Sequence, residues 1–201
     1  SDHEIFLREL ISNATDATLK LKHLTNVGEA KVEYGNPQIE VKIDEKAKTL
    51  HIIDQGLGMT AEEVEKYINQ VAFSGAEEFL DKYKDSAKDA GIIGHFGLGF
   101  YSAFMVAEKV EIITKSYKDE PAAHWICDGS PEFSLEAHDK TERGTEIILH
   151  ISDDEKEFLD KWRTQEVVKK YSNHIAYPII LNYAEEETEG EGEEATTKMV
   201  N

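Results

Sequence analysis

Glu9, Asn13, Asp16 and Lys20 set a carboxylate, an amide, a second carboxylate and an amine at intervals of one helical turn. At about 100° per residue they share an arc of about 60°, beside an arc of about 80° that holds Phe6, Leu10, Ala14, Ala17 and Leu21. The polar four therefore border a buried stripe. One reading makes them the ordinary edge of an amphipathic helix. The other makes them the polar wall of a pocket, where Glu9 orients or deprotonates a water and the Asn13 amide oxygen joins the oxygen shell of a phosphate-bound Mg²⁺.

Two glycine-rich runs could complete such a pocket. Asp54-Gln55-Gly56-Leu57-Gly58-Met59 lies between a strand pattern and a helix pattern. Its glycines suit a backbone that turns tightly or approaches a ligand closely, and Asp54 could accept a hydrogen bond from an exocyclic amine such as that of adenine. A plain strand-to-helix turn, with Thr60 as the helix cap, explains the same letters. Gly91-Ile92-Ile93-Gly94-His95-Phe96-Gly97-Leu98-Gly99-Phe100 leads into an apolar helix that runs through Ala107. Glycines so dense before a helix free backbone N–H groups to cradle phosphate; a loop without a ligand is the alternative. The order GxxGxG is not the dinucleotide fingerprint, and the absence of any Gly-Lys dipeptide excludes the Walker loop.

The elements that must position these residues follow from periodicity. A long helix is expected from Asp2 to Lys22, then strands Gln38–Ile43 and Thr49–Asp54, rich in Val and Ile. Val64, Tyr67, Ile68 and Val71 keep the spacing of a short half-buried helix. From Ala72 to Gly99 the pattern dissolves into Gly, Ser, Ala and charge, which suggests a covering lid. Alternating runs at Val110–Thr114, Ala123–Cys127, Glu132–Glu136 and Thr145–Ile151 predict a strand meander, closed by a helix from Arg163 to His174 that stops before Tyr177-Pro178. The sum is an α+β, two-layer fold with helices on one face of a mostly antiparallel sheet.

Length and composition set limits. The chain of 201 residues, 40% hydrophobic, suits one domain, expected over residues 1–184. Glu185 to Glu194, EEETEGEGEE, reads as the start of a solvated acidic linker over 185–201 that leads toward a further domain. The first residue, Ser1, opens almost directly into a helix, so preceding sequence is expected too. A net charge of −19 argues against nucleic acid or an anionic membrane as partner. One cysteine, Cys127, rules out an intrachain disulfide and a thiolate zinc site, and fits a reducing cytoplasmic setting. No apolar run approaches the roughly 20 residues of a membrane span, and no signal-peptide pattern opens the chain.

The order of these motifs, with Arg143-Gly144-Thr145 opening a late strand, resembles the GHKL ATPases, a superfamily that includes nucleotide domains of type II topoisomerases, mismatch-repair proteins and histidine kinases. Within it, HEIFLRELISNATDA, DQGLGMT, FSGAEEFL, IGHFGLGFYSAFMVA, RGTEI and KKYSNHIAYPI look like the heat-shock protein 90 chaperones of the bacterial HtpG type, over roughly Ser1 to Leu181. The resemblance implies the Bergerat ATP-binding fold, binding of ATP or ADP with Mg²⁺, and ATP hydrolysis. It makes Glu9 the catalytic carboxylate and Asn13 the Mg²⁺ and phosphate contact. Asp54 would take the adenine amine, with Gly58, Met59, Ile68 and Thr145 around the base. Gly94, Gly97, Leu98, Gly99 and Phe100 would hold the phosphates at the lid hinge, and Asp16, Ala17 and Lys20 would face the nucleotide from the helix.

It further implies client proteins and a homodimer in the full-length chaperone, with the present chain a monomer that binds nucleotide well and hydrolyses it poorly. Phe73, where relatives often carry lysine, and His95, where they often carry glutamine, depart from the pattern. A DNA-acting relative or a nucleotide switch without turnover is the alternative function, the first disfavoured by the acidic charge.

Overall fold

A computed structural model of the chain describes residues 2–69, 96–130, 132–186 and 193–201. Alternation of more and less buried residues marks most of the strands. In β1 (Ile39–Asp44), Ile39, Val41 and Ile43 point to one side, and in β2 (Thr49–Asp54), Leu50, Ile52 and Asp54 do the same. β3 (Ala107–Lys115), β4 (Ala122–Cys127), β5 (Phe133–His138) and β6 (Gly144–Ile151) follow as expected from sequence. With β7 (Ile179–Glu186) and β8 (Glu193–Met199) they form one eight-stranded sheet, in the order β5-β4-β3-β6-β2-β1-β7-β8. All pairings are antiparallel except β1 with β7.

Helices cover one face. A short 3₁₀ turn, Asp2–Glu4, runs into α1 (Ile5–Asn26), which lies on β1 and β2 with Phe6, Leu7, Leu10, Ile11, Ala14 and Leu21 buried. α2 (Ala61–Val64) continues as a π turn over Glu65–Asn69. Thr60 caps it as the sequence suggested: its hydroxyl accepts from the Glu63 N–H, and the Glu63 carboxylate accepts from the Thr60 N–H. α3 (Phe96–Tyr101) and a 3₁₀ turn, Ser102–Met105, pack against α1, so the apolar helix ends before Ala107, which already belongs to β3. α4 (Lys161–Ser172) starts two residues earlier than its apolar pattern, because Asp160 accepts from the Arg163 N–H and sets the first turn.

The core lies between these layers. Phe6 meets Phe158 edge-on at 4.9 Å, and Phe100 meets Trp125 at 5.6 Å. The opposite sheet face is polar and paired: His51 with Glu146 at 2.7 Å, and Glu111 between His124 at 2.8 Å and His150 at 2.6 Å.

One expectation changes. Ile179–Glu186 is a strand, and Glu193–Met199 pairs with it antiparallel, so 185–201 is not a solvated linker throughout. Backbone ladder bonds and the tie of Ile179 N–H to the Asn201 side chain at 2.8 Å hold a segment whose composition alone would not fold. The lid expected at Ala72–Gly99, with Phe73, Gly94 and His95, falls outside the described residues except for its end, Phe96–Gly99, which belongs to α3.

Candidate functional site

α1, β2 and β6 enclose a cavity of about 300 Å³ on the helix-covered side of the sheet. Its lining joins Asn13, Asp16, Ala17 and Lys20 from α1 with Asp54, Gly58 and Met59 from the glycine run and Thr145 from β6. Residues as far apart in sequence as Asn13 and Thr145 thus meet because α1 lies across β2, and β2 pairs with β6 in a register that sets Asp54 opposite Thr145. Leu10, Ala14, Ile52, Leu57 and Ile147 supply apolar walls, and Glu63 a rim carboxylate.

Asp54 lies at the floor, 7% exposed. Burial pushes its carboxyl up to about 7, against the opposing pull of the Gly56 and Thr145 backbone donors. The Gly56 N–H donates to Asp54 Oδ1 at 2.8 Å. Behind Thr145, the Thr114 hydroxyl lies 2.8 Å from the Thr145 hydroxyl and accepts from the Met59 N–H at 3.0 Å.

The glycines are demanded by contact. Gly58 has φ +66°, and a Cβ there would fall 2.0 Å from the Lys115 carbonyl oxygen. A Cβ on Gly56 would come 2.7 Å from the backbone of Ala17, whose carbonyl accepts the Leu57 N–H at 3.2 Å. The glycine run is therefore clamped between α1 and β3. Arg143 holds it from outside: its guanidinium donates to the Gln55 carbonyl at 3.3 Å and to the Glu33 carbonyl at 3.2 Å.

Of the two residues expected to do chemistry, Asn13 lines the cavity and Glu9 lies one turn before it on α1. Glu9 is 2% exposed and Asn13 7%. Arg8 Nη2 donates to Glu9 Oε1 at 3.0 Å, while Glu9 Oε2 faces α3, where a Cβ on Gly99 would stand 3.0 Å away. The same Cβ would be 3.6 Å from Asn13 Nδ2. Helix-border polar side chains and the end of the second glycine run thus converge on one spot. At the outer rim Lys20 pairs with Asp16 at 2.9 Å, both more than half exposed.

Two expected contacts sit elsewhere. Ile68 is fully buried in the core with Val64 and is not part of the cavity lining. The Phe100 side chain is likewise core, against Trp125, so only its backbone could serve a ligand. Gly97 and Leu98 lie in α3, and Gly94 falls outside the described residues. Ile52 and Ile147, which line the cavity, and Thr114, which lies behind it, are not among the residues expected from sequence. Alternation in β2 and β6 would have found Ile52 and Ile147, which share a face with Asp54 and Thr145; Thr114 shows itself only in the β3–β6 register.

Residues 2–157 match the family described as histidine kinase-, DNA gyrase B-, and HSP90-like ATPase. The chain belongs to that ATPase family. Within this HSP90-like group it is similar to the chaperone protein HtpG of Bacteroides thetaiotaomicron, 58% identical over 98% of the chain and 28% of the relative. The HtpG of Porphyromonas gingivalis is 56% identical over 94% of the chain and 28% of its own length. That of Sulfurovum is 50% identical over the whole chain and 33% of its own length. The chain spans about a third or less of the length of these relatives.

Proposed function

We propose that this chain is the ATP-binding and ATP-hydrolysing domain of a molecular chaperone of the HtpG type. The observation that supports it most is the joining of two sites along one helix: an adenine-sized cavity floored by Asp54, and a buried Glu9–Asn13 pair against the backbone of Gly99. A purine would enter the cavity with its amine toward Asp54, between the apolar walls of Met59, Ile52 and Ile147. Asp16, Ala17 and Lys20 would then lie along the ribose and phosphates. The phosphates would run toward Asn13 and the backbone of Gly97–Phe100, Gly94 contributing from the preceding loop.

The Asn13 amide oxygen is a neutral, hard donor beside a carboxylate, a fit for a Mg²⁺ that keeps several waters and is shared with phosphate oxygens. Mg²⁺ would be held between the Asn13 amide oxygen and the phosphates of the nucleotide. When bound, it supplies charge neutralisation to the transferring phosphoryl group. Phosphoryl transfer leaves the protein mainly positioning and electrostatics. Glu9 Oε2, turned toward the Gly99 side, is the group that would orient the attacking water and take its proton, while Arg8 holds the other oxygen.

Clients, a homodimer, a cytoplasmic setting and a stress-response role belong to the same proposal. The net charge of −19 supports a partner other than nucleic acid. Among the described residues no helix is long and apolar enough to cross a membrane. The test is Glu9→Ala in the full-length protein. Turnover should vanish while ADP affinity stays within about threefold, the pattern of a residue acting only in the transition state. Equal turnover in both proteins would remove Glu9 from the reaction.

A further inference from the structure

We infer that Thr114, which does not line the cavity, is a positioning residue that fixes the direction of the Thr145 hydroxyl and so sets which purine the floor accepts. The inference rests on the nucleotide reading above.

The geometry is a row across three strands. The sheet register sets Asp54 on β2 opposite Thr145 on β6, and Thr145 opposite Thr114 on β3. All three side chains point to the helix-covered face, and Thr114 is 0% exposed. Its hydroxyl meets two groups in the described structure, the Met59 N–H at 3.0 Å and the Thr145 hydroxyl at 2.8 Å. An N–H can only donate, so Thr114 Oγ1 accepts from Met59. Its own proton then has one acceptor in reach, the Thr145 oxygen.

The opposite arrangement, with Thr145 donating to Thr114, would leave the Thr114 proton buried without a partner, at a cost of roughly 1–3 kcal/mol. Thr114 is therefore the donor. Thr145 lines the cavity, so its proton is directed into that space. The floor then offers an acceptor, Asp54, beside a donor, Thr145.

That pair complements an edge with an amine next to a ring acceptor, as in adenine. It opposes guanine, whose carbonyl would face the carboxyl and whose ring N–H would face a donor. A site whose buried groups stay unpaired with the wrong base rejects it strongly. The chain Met59 N–H, Thr114, Thr145 thus transmits the clamp on the glycine run into base selection.

The test is calorimetric titration of the 201-residue chain with ADP and with GDP, in wild type, Thr114→Val and Thr114→Ser. Thr114→Val should lower the preference for ADP over GDP by about tenfold or more, and Thr114→Ser should keep it. A preference unchanged in Thr114→Val, even with weaker binding of both nucleotides, overturns the inference by making Thr114 merely structural. If Thr114→Val does not fold, wild type alone decides. An ADP analogue with C–H in place of the ring nitrogen beside the amine-bearing carbon should bind about tenfold weaker, and equal binding overturns the inference. Failure of wild type to bind ADP would instead reject the nucleotide reading beneath it.

Discussion

Gly99 leaves little room beside the carboxylate of Glu9: a methyl group added at its α-carbon would stand 3.0 Å from Oε2. The two residues are brought together by α3 packing on α1. Gly99→Ala should displace the carboxylate from the place where it meets water. In the full-length protein, turnover is expected to fall about tenfold or more with ADP affinity little changed, a split read by steady-state kinetics beside titration.

Gly58 and Gly144 give a harder outcome. Both have positive φ, +66° and +123°, and a Cβ would come 2.0 Å from the Lys115 carbonyl oxygen and 2.1 Å from that of Asp54. Backbone cannot yield as a side-chain tip can. Either alanine variant should lose about 3 kcal/mol or more in urea unfolding, and ADP binding should be lost with it.

Asp54 links binding to pH. Its carboxyl is pushed from 3.8 to about 7 by burial, so the empty folded protein holds this proton where the unfolded chain has released it. Stability therefore falls as pH rises from about 4 to 7 and stays reduced above. Asp54→Asn should make the empty protein more stable than wild type at pH 8, on the order of 2 kcal/mol, with the gap closing toward pH 4. Thermal melts across that range would show it. In wild type, ADP affinity should weaken as pH drops below about 7, because a protonated carboxyl is a poorer acceptor.

Glu4 behaves in the opposite sense. Burial alone would raise its carboxyl, but hydrogen bonds from Lys170 at 2.6 Å, Tyr171 at 2.7 Å and Arg163 at 2.9 Å hold it at about 2. The stabilisation is complete above pH 4.5 and is lost as pH falls toward 2. Glu4→Gln should be about 1–2 kcal/mol less stable at pH 7 and should match wild type near pH 2. Because Tyr171 also carries the Arg8 guanidinium over its ring at 5.6 Å, the cluster ties α4 to the start of α1.

Much of this was legible in the residues. Of the arc Glu9, Asn13, Asp16 and Lys20 read beside an apolar stripe, the last three line the cavity and Glu9 is buried one turn before them, an order that helix periodicity sets from local spacing alone. Thr60 announced its cap for the same reason, while the reciprocal bond from Glu63 came only with the structure. What stayed hidden depends on distant partners. β8 is an edge strand of Glu, Ala, Thr and Lys, held by its pairing with β7 rather than by apolar content. β7 was obscured because its end merges into the acidic run. Ile68 has the spacing of a buried helix face and lies in the core; only the resemblance placed it around the base, and it is not in the cavity lining. Thr114 looks like any strand threonine until the register places it behind Thr145.

The central claim is that the cavity floored by Asp54 binds an adenine nucleotide. Isothermal titration of the chain with ADP and Mg²⁺, beside Asp54→Asn, tests it most directly. Saturable binding to wild type that is lost in a folded Asp54→Asn variant is the predicted result. Equal affinity in the two, or no binding by folded wild type, would contradict it.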